Sequence, residues 1–237
     1  MKEKKEPDEF YSKKLENEKE MFNRIYRILE IPFVYKLASI LLAPGGYHLI
    51  KPLHRKAFGQ SSGRVLDVGC GPTLNTPEPK GLIVGVDVNP AYIHQYTGGF
   101  VDEDPQLIFT PPISCRHLGF VASADKLPFA DGSFDEARSN AIFHHLPDDV
   151  ALKAIKEMCR CVRSGGRIVI LDAVFPVKAW TRPIAWLTLR LDRGRYARSQ
   201  EDMLELAQKS CPGSWDWERR TTTYTGQEFL CMQYIKE

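Results

Sequence analysis

The segment VLDVGCGP, residues 65–72, places an aspartate and two glycines at the end of a short apolar run. Such a run predicts a β-strand, and glycines directly after a strand let a ligand approach main-chain N–H groups. Asp87 closes the next apolar run, twenty residues after Asp67. An acidic side chain at the end of the second strand of an open α/β sheet can accept hydrogen bonds from both hydroxyls of a ribose. Gly69, Gly71 and Asp87 therefore predict a site for a nucleoside-containing ligand.

Two nucleoside cofactors compete for this site. The dinucleotide fingerprint G-x-G-x-x-G requires a third glycine and a helix that faces a pyrophosphate. Here the third position is Leu74, and the segment PTLNTPEPKG carries three prolines, which disfavour a long crossover helix. Asp67 can instead face the ammonium group of an amino-acid moiety, while backbone N–H groups meet its carboxylate. S-adenosylmethionine has such an end and NAD does not, so an NAD-dependent oxidoreductase is the weaker alternative.

Composition and charge restrict the class of protein further. The chain has 237 residues, 43% hydrophobic and 26% charged, with a net charge of +2, which is typical of a globular enzyme and gives no whole-chain argument for nucleic-acid binding. The start, MKEKKEPDEFYSKKLENEKE, is charged throughout and does not resemble a secretory signal. The longest apolar stretch is interrupted by Pro44 and Gly45, so no membrane span is predicted. A cytoplasmic protein is expected.

The cysteines predict neither a metal site nor a disulfide framework. No pair among them has the CxxC spacing, and their distribution along the chain is sparse. No metal is therefore expected, and a reducing compartment is the simpler interpretation. The six cysteines are Cys70, Cys115, Cys159, Cys161, Cys211 and Cys231.

The order of predicted elements indicates an α/β protein. Residues 1–62 have helical apolar spacing, after which the strand candidates RVLDV, LIVGVDV, FDEARS and RIVILDAV alternate with helical or turn segments. DDVALKAIKEMCRCVRSGG predicts a helix that ends at Gly165, and Ser199 with Asp202 predicts a capping box. Two β-rich runs around Thr225 and Gly226 predict a hairpin. The expected fold is a Rossmann-like, doubly wound, mostly parallel sheet with an antiparallel C-terminal edge hairpin, plus N-terminal helices.

Four ordered motifs resemble those of the class I S-adenosylmethionine-dependent methyltransferases, in particular the broad small-molecule group that includes ubiquinone and menaquinone C-methyltransferases. They are VLDVGCGP, GVDVNPAYI, SADKLPFADGSFDEARSNAIFHHLPD and VRSGGRIVILDAV, which span most of residues 64–174. Residues 98–118 have the character of an insertion between the second and third motifs. The resemblance implies that Asp125 binds the adenine amino group, that Val88 lines the adenine pocket, and that Asn140 and Ala141 lie beside the cofactor. The full expected cofactor set is Asp67, Gly69, Cys70, Gly71, Asp87, Val88, Asp125, Lys126, Asn140 and Ala141.

The resemblance also implies in-line transfer of a methyl group to an unidentified, small-molecule acceptor, with S-adenosylhomocysteine as product. A general base is optional in such chemistry, because the sulfonium is already reactive. His144 and His145 are the candidates for it, His144 first because it follows the strand end more closely, but the same residues can simply pack the next helix. A non-catalytic cofactor-binding or partner-activating subunit remains the alternative from another class.

The expected organisation has two parts. Residues 1–62 form a helical lead-in or lid, and residues 63–237 form the methyltransferase domain, in which residues 175–198 are a basic amphipathic cover segment. That segment could lie on an anionic membrane or face a hydrophobic or acidic acceptor, although a cover helix with a solvated basic face is the favoured interpretation. Its charged residues are Lys178, Arg182, Arg190, Arg193, Arg195 and Arg198 against Asp192. No nucleic-acid partner is expected, because no recognisable module accompanies the segment.

Overall fold

A computed structural model describes residues 44–72, 74, 76–98, 115–191 and 195–237 of the chain. The helices predicted over residues 1–43 and residues 99–114 of the predicted insertion lie outside the described residues. So do Asp192 and Arg193 of the cover segment.

Seven strands form one sheet in the order β3-β2-β1-β4-β5-β7-β6. β7 is antiparallel to its neighbours β5 and β6, and the other neighbouring strands are parallel. The predicted Rossmann-like fold with an antiparallel C-terminal hairpin is thereby confirmed. The order reverses between β1 and β4, so the carboxyl ends of these strands form the crevice where such sheets bind ligands. The strands are β1 Ser62–Val68, β2 Lys80–Asp87, β3 Cys115–Val121, β4 Phe134–Asn140, β5 Val162–Val174, β6 Asp216–Thr221 and β7 Glu228–Ile235.

Helices cover both faces of the sheet. On one face, Met158 of α3 packs in a core cluster with Ile170 of β5, and on the other, Phe58 of α1 packs with Leu171. Side chains that alternate along the strands thus enter two separate cores, as a doubly wound sheet requires. None of the described helices is long and apolar enough to cross a membrane. The helices are α1 Gly46–Phe58, α2 Pro90–Tyr96, α3 Asp148–Cys161, α4 Pro183–Leu191 and α5 Gln200–Ser210, with short 3-10 helices at Phe143–His145 and Ala179–Thr181.

Local signals at three connections are confirmed. No helix occurs among the described residues between β1 and β2, where prolines were expected to prevent one. The capping box of α5 is formed, since the Ser199 side chain accepts from the Asp202 N–H and the Asp202 side chain accepts from the Ser199 N–H. The hairpin turn lies between β6 and β7, with Gly226 at φ 90°.

The predicted helix end at Gly165 is wrong. α3 ends at Cys161, where the backbone of Val162 becomes extended, and β5 begins immediately. Gly165 has φ 73° inside this strand, near the shift in the β4–β5 register, and its N–H donates to the Lys236 carbonyl at 2.7 Å. The left-handed glycine therefore bends a strand and does not terminate a helix, two uses that the sequence pattern does not distinguish.

Two further expectations are corrected. Residues 115–118, assigned to an insertion, begin strand β3, which pairs with β2 along its length. Cys159 of α3 and Cys211 after α5 are paired as a disulfide, with a Cα–Cα distance of 6.5 Å. Sequence spacing could not reveal this pair, because the two cysteines are 52 residues apart and are brought together only by the packing of α3 against α5.

Candidate cofactor site

The glycine loop after β1 has the conformation that a close ligand approach requires. Gly69 and Gly71 have φ values of 70° and 63°, and the N–H groups of Gly69 and Cys70 both donate to the Val86 carbonyl. A Cβ at Gly69 would overlap the side chain of Ile142, whereas no heavy atom of the described residues lies within 4 Å of a Cβ at Gly71. Gly69 is thus enclosed by the protein, and Gly71 has no such neighbour among the described residues.

Asp87 is fixed beside this loop at the end of β2. Its Oδ2 accepts from the Gly71 N–H at 3.2 Å, and its Oδ1 accepts from the Asn89 N–H at 2.9 Å. The neighbouring Val88 is an apolar side chain that is 67% exposed. The Asp87 carbonyl accepts from the Ala122 N–H at 3.1 Å, which brings the end of β3 to the same edge. A half-buried carboxylate and an exposed apolar side chain therefore stand together at the crevice, as a nucleoside would require.

The turn after β3, residues 122–131, carries Asp125 and Lys126. Ser123 donates to Asp125 Oδ1 at 2.5 Å, and Lys126 is exposed. α3 holds this turn, because Glu157 accepts from the Leu127 N–H at 2.9 Å and Arg160 donates to the Leu127 carbonyl at 3.1 Å. The hydrogen bond from Arg160 lowers the pKa of the Glu157 carboxyl, which keeps it charged in this contact.

The end of β4 carries a conformational exception. Ala141 has φ 59° and is the one residue other than glycine with a positive φ in the described chain. Such a backbone costs about 1 to 3 kcal/mol and is concentrated at functional sites. The adjacent Asn140 has a buried Oδ1 without a hydrogen-bond partner among the described residues. Together with the carboxylate of Asp87, this acceptor fits a polar ligand that enters the crevice at the ends of β1 and β4.

Asp67 is buried near the end of β1. Its Oδ2 accepts from the Tyr96 hydroxyl at 3.3 Å and lies 3.4 Å from Nη2 of Arg138. Cys70, by contrast, is half-buried and packs against the apolar cluster that includes Val65. Burial, followed by the charge of Asp67, raises the pKa of the Cys70 thiol, so this group stays protonated and unreactive.

The two histidines occupy different environments. His144 is buried, and its Nδ1 lies 2.5 Å from Oδ1 of Asp172 near the end of β5. Oδ2 of Asp172 also accepts from the Phe143 N–H at 2.5 Å, so one carboxylate holds the whole turn. His145 is exposed, with its ring centroid 4.0 Å from that of His144.

The cover segment is less basic at its surface than its composition predicts. Arg182 pairs with Glu228, and the buried Arg198 pairs with Asp148 at 2.6 Å, so both guanidinium groups serve the fold. Val177 and Trp180 are 73% and 82% exposed. This segment follows β5 directly, and the surface it presents there is largely apolar. Other large exposed apolar side chains in it are Ile184, Trp186 and Leu187.

Three residues of the site were missed in the sequence: Arg138, Tyr96 and Asp172. The available signal was an arginine inside a predicted central strand, FDEARS, where a buried charge demands a partner. The partner could not be chosen without the strand order. Within the described residues, no group of three or more His, Cys, Asp or Glu side chains could hold a metal ion.

Comparison with known proteins agrees with this architecture. Residues 66–170 match a family model described as a methyltransferase domain. A demethylmenaquinone methyltransferase from a Roseiflexus species is 33% identical over 132 residues, which are 53% of this chain and 49% of that protein. The ubiquinone/menaquinone biosynthesis C-methyltransferase UbiE of a Geobacter species is 33% identical over 153 residues, covering 60% of this chain and 59% of the relative. The chain thus spans about half the length of these curated relatives.

Solved structures show the same fold at lower identity. Geranyl diphosphate C-methyltransferase from Streptomyces coelicolor, solved with S-adenosyl-L-homocysteine, superposes with a TM-score of 0.56 at 11% identity and covers 79% of this chain and 78% of that chain. Fold, motif order and family match define an α/β protein of the nucleoside-cofactor class. Over residues 66–170 the chain matches a methyltransferase domain, and its motifs resemble those of the class I S-adenosylmethionine-dependent methyltransferases, whose cofactor is S-adenosylmethionine.

Proposed function

We propose that the protein transfers the methyl group of S-adenosylmethionine to a small-molecule acceptor by in-line displacement. The observation that carries this proposal is the contact between the Gly71 N–H and Asp87 at the crevice of the sheet, where no described heavy atom lies within 4 Å of a Cβ at Gly71. When bound, the cofactor supplies an electrophilic methyl group on a sulfonium. The protein then has mainly to align the acceptor, a contribution of at most about 7 to 11 kcal/mol.

The site residues divide into two sets. In the nucleoside half, Asp87 accepts hydrogen bonds from the ribose hydroxyls, and Val88 contacts one face of the adenine. Asp125 binds the adenine amino group, with Lys126 at the rim. In the amino-acid half, Asp67 attracts the ammonium group. The backbone of Gly69, Cys70 and Gly71 allows the close approach, and Asn140 with Ala141 closes the pocket beside it.

If a side chain removes a proton from the acceptor, we assign this role to His145. His145 is exposed and can meet an acceptor, whereas His144 is buried and hydrogen-bonded to Asp172. This reverses the ranking made from the sequence, which relied only on the distance from the strand end. His144 then has a structural role, in which it joins the turn after β4 to the end of β5.

We assign the acceptor side to the cover segment, residues 175–198. Support comes from the exposed Val177 and Trp180 directly after β5, since exposed apolar clusters mark binding surfaces. The acceptor proposed on this basis is hydrophobic. Trp180→Ser should abolish methylated products formed from a cell extract while cofactor binding is retained. Trp217→Ser, at a tryptophan that is 52% exposed on β6, is the matched control and should leave both unchanged.

The cofactor assignment is tested by calorimetric titration of the protein with S-adenosylmethionine, S-adenosylhomocysteine and NAD. Binding of the first two and not of NAD is expected, and tight binding of NAD would overturn the proposal. Incubation of extract fractions with S-adenosylmethionine should then yield products that are heavier by one methyl group. Cofactor binding without any such product, in extracts and with purified lipids and quinones, would favour the non-catalytic subunit.

A further inference from the structure

Arg138 lies in the centre of β4 and is completely buried. Its Nη2 is 3.4 Å from Asp67 Oδ2, and its Nη1 donates to the Pro77 carbonyl at 3.1 Å. The guanidinium carbon lies 5.5 Å from the ring centroid of Phe58 in α1. One side chain therefore contacts the strand that carries the first cofactor motif, the segment that follows it, and the helix above.

Burial of a guanidinium group is energetically unfavourable at this position. Leaving the charge unpaired would be strongly unfavourable, and an apolar side chain of similar volume would pack a strand centre equally well. Nε of Arg138 has no hydrogen-bond partner among the described residues, so the group is not even fully satisfied. A purely structural role accounts poorly for this cost.

The missing crossover helix gives Arg138 a different role. In a doubly wound sheet, the helix after the first strand fixes the glycine loop and the residues before it. Here residues 69–79 contain no helix among the described residues, and Pro77 belongs to the segment that replaces it. Arg138 joins this segment to Asp67 through two N–H groups of a rigid fork, a geometry that lysine cannot reproduce.

Tyr96 of α2 completes the arrangement from the opposite side. Its hydroxyl donates to the same Oδ2 of Asp67 at 3.3 Å. Burial, followed by the charge of Asp67, raises the pKa of the Tyr96 hydroxyl, so it remains a donor. Both inward contacts use Oδ2, which fixes the orientation of the Asp67 carboxylate at the end of β1.

We infer that Arg138 is a positioning residue for the amino-acid end of the cofactor: it orients Asp67 and holds the segment that replaces the first crossover helix. This inference rests on the proposed function, in which Asp67 faces the ammonium group. It predicts that Arg138 matters for ligands that carry an amino-acid moiety and does not matter for ligands that carry only the nucleoside.

The sheet offers a matched control. Arg167 of β5 pairs with Glu136 of β4 at 2.6 Å, on the same face as Arg138 and two positions nearer the amino end of β4. Glu136 is buried and also accepts from the Ser61 hydroxyl at 2.6 Å. This is a second arginine–carboxylate pair between strands, away from the cofactor edge.

The experiment compares the affinity of two ligands for four proteins. S-adenosylhomocysteine has the amino-acid end, and 5′-methylthioadenosine keeps the nucleoside without it. Arg138→Met should weaken S-adenosylhomocysteine binding by about 10- to 100-fold and change 5′-methylthioadenosine binding by less than about twofold. Arg138→Lys should weaken the former by about three- to tenfold, because one ammonium cannot bridge both partners. Arg167→Met should change neither affinity by more than about twofold.

Each outcome decides the matter. Equal losses for both ligands in Arg138→Met would mean a structural role only and would overturn the inference, as would unchanged binding. Should Arg138→Met fail to fold, Arg138→Lys decides, and wild-type affinity of that variant for S-adenosylhomocysteine would overturn the inference. If the wild-type protein binds 5′-methylthioadenosine but not S-adenosylhomocysteine, or neither ligand, the proposed function fails together with it.

Discussion

The nucleoside half of the proposed site, around Asp87, and the amino-acid half, around Asp67, lie at the carboxyl edge of the same sheet, but their carboxylates face different partners. Asp87 accepts from backbone N–H groups close to it in the loops, including that of Gly71. Asp67 is held by side chains from β4 and α2. The first half is built locally, whereas the second depends on the packing of distant elements.

This difference has a physical origin in the connection between β1 and β2. A helix there would supply N–H groups and an apolar face near Asp67. No helix occurs there among the described residues, and a cation from β4 and a hydroxyl from α2 hold the carboxylate. Substitutions in the two halves should therefore weaken the binding of different ligands. They should also differ in their effect on the stability of the protein.

The largest effect is expected where ligand and protein would compete for the same space. Gly71→Val adds a side chain where no described heavy atom lies within 4 Å of a Cβ, at a backbone cost of about 1 to 2 kcal/mol for φ 63°. Binding of S-adenosylhomocysteine should fall by more than about 100-fold, while the melting temperature should fall only by the few degrees that this backbone cost implies. Titration calorimetry and thermal unfolding measure the two quantities.

Gly98→Val is the control for this change. Gly98 has φ 76° in the exposed turn after α2, and no described heavy atom lies within 4 Å of a Cβ there. The backbone cost is therefore matched, and binding should remain within about twofold of wild type. Full binding by Gly71→Val would show that this glycine serves only the turn.

The second effect concerns the nucleoside half. Asp87→Ala should lose about 1.5 to 3 kcal/mol for each charge-assisted hydrogen bond to the ribose. Since both ligands contain the ribose, S-adenosylhomocysteine and 5′-methylthioadenosine should weaken by the same factor. Weaker binding of S-adenosylhomocysteine alone would place Asp87 in the amino-acid half. Asp87 and Arg138 would then no longer differ in the ligands whose binding they affect.

The sequence predicted the two halves unequally for the same reason. Gly69, Gly71 and Asp87 are recognisable because their roles follow from strand ends and backbone conformation, which short motifs specify. The partner of Asp67 is 71 residues away and becomes a neighbour only through the β1–β4 pairing. Likewise, β3 was not predicted, because its first residues were assigned to the insertion. The start of β5 was not predicted either, because Gly165 is also compatible with the end of a helix.

The third effect separates the two histidines. His144→Gln removes a partner of the buried Asp172 and should lower the free energy of unfolding by about 1 to 3 kcal/mol. His145→Gln should leave stability within about 0.5 kcal/mol, because the side chain is exposed. Chemical denaturation measures both. A larger loss of unfolding free energy for His145→Gln than for His144→Gln would contradict the structural role given to His144. Single-turnover rates with an identified acceptor would test His145 as the base.

The smallest effect concerns the turn that carries Asp125, which α3 holds through Glu157. The pKa of this carboxyl is lowered from 4.5, chiefly by the hydrogen bond from Arg160. A lowered pKa in the folded protein means that the contact stabilises fully above pH 4.5 and that this contribution is lost as the pH falls below that value. Glu157→Gln should therefore be less stable than wild type by up to about 1 kcal/mol at pH 7, and the gap should close between about pH 4.5 and pH 3.

Glu205→Gln is the matched control, because Glu205 pairs with Lys209 on the exposed surface of α5, where both side chains are 62% exposed. Its stability relative to wild type should stay within about 0.5 kcal/mol at every pH, since exposed pairs contribute little. Thermal unfolding of the three proteins at pH 7, 5 and 3.5 gives the comparison. A gap for Glu157→Gln that widens as the pH falls would reverse the sign and would show that Arg160 does not hold the turn through this carboxylate.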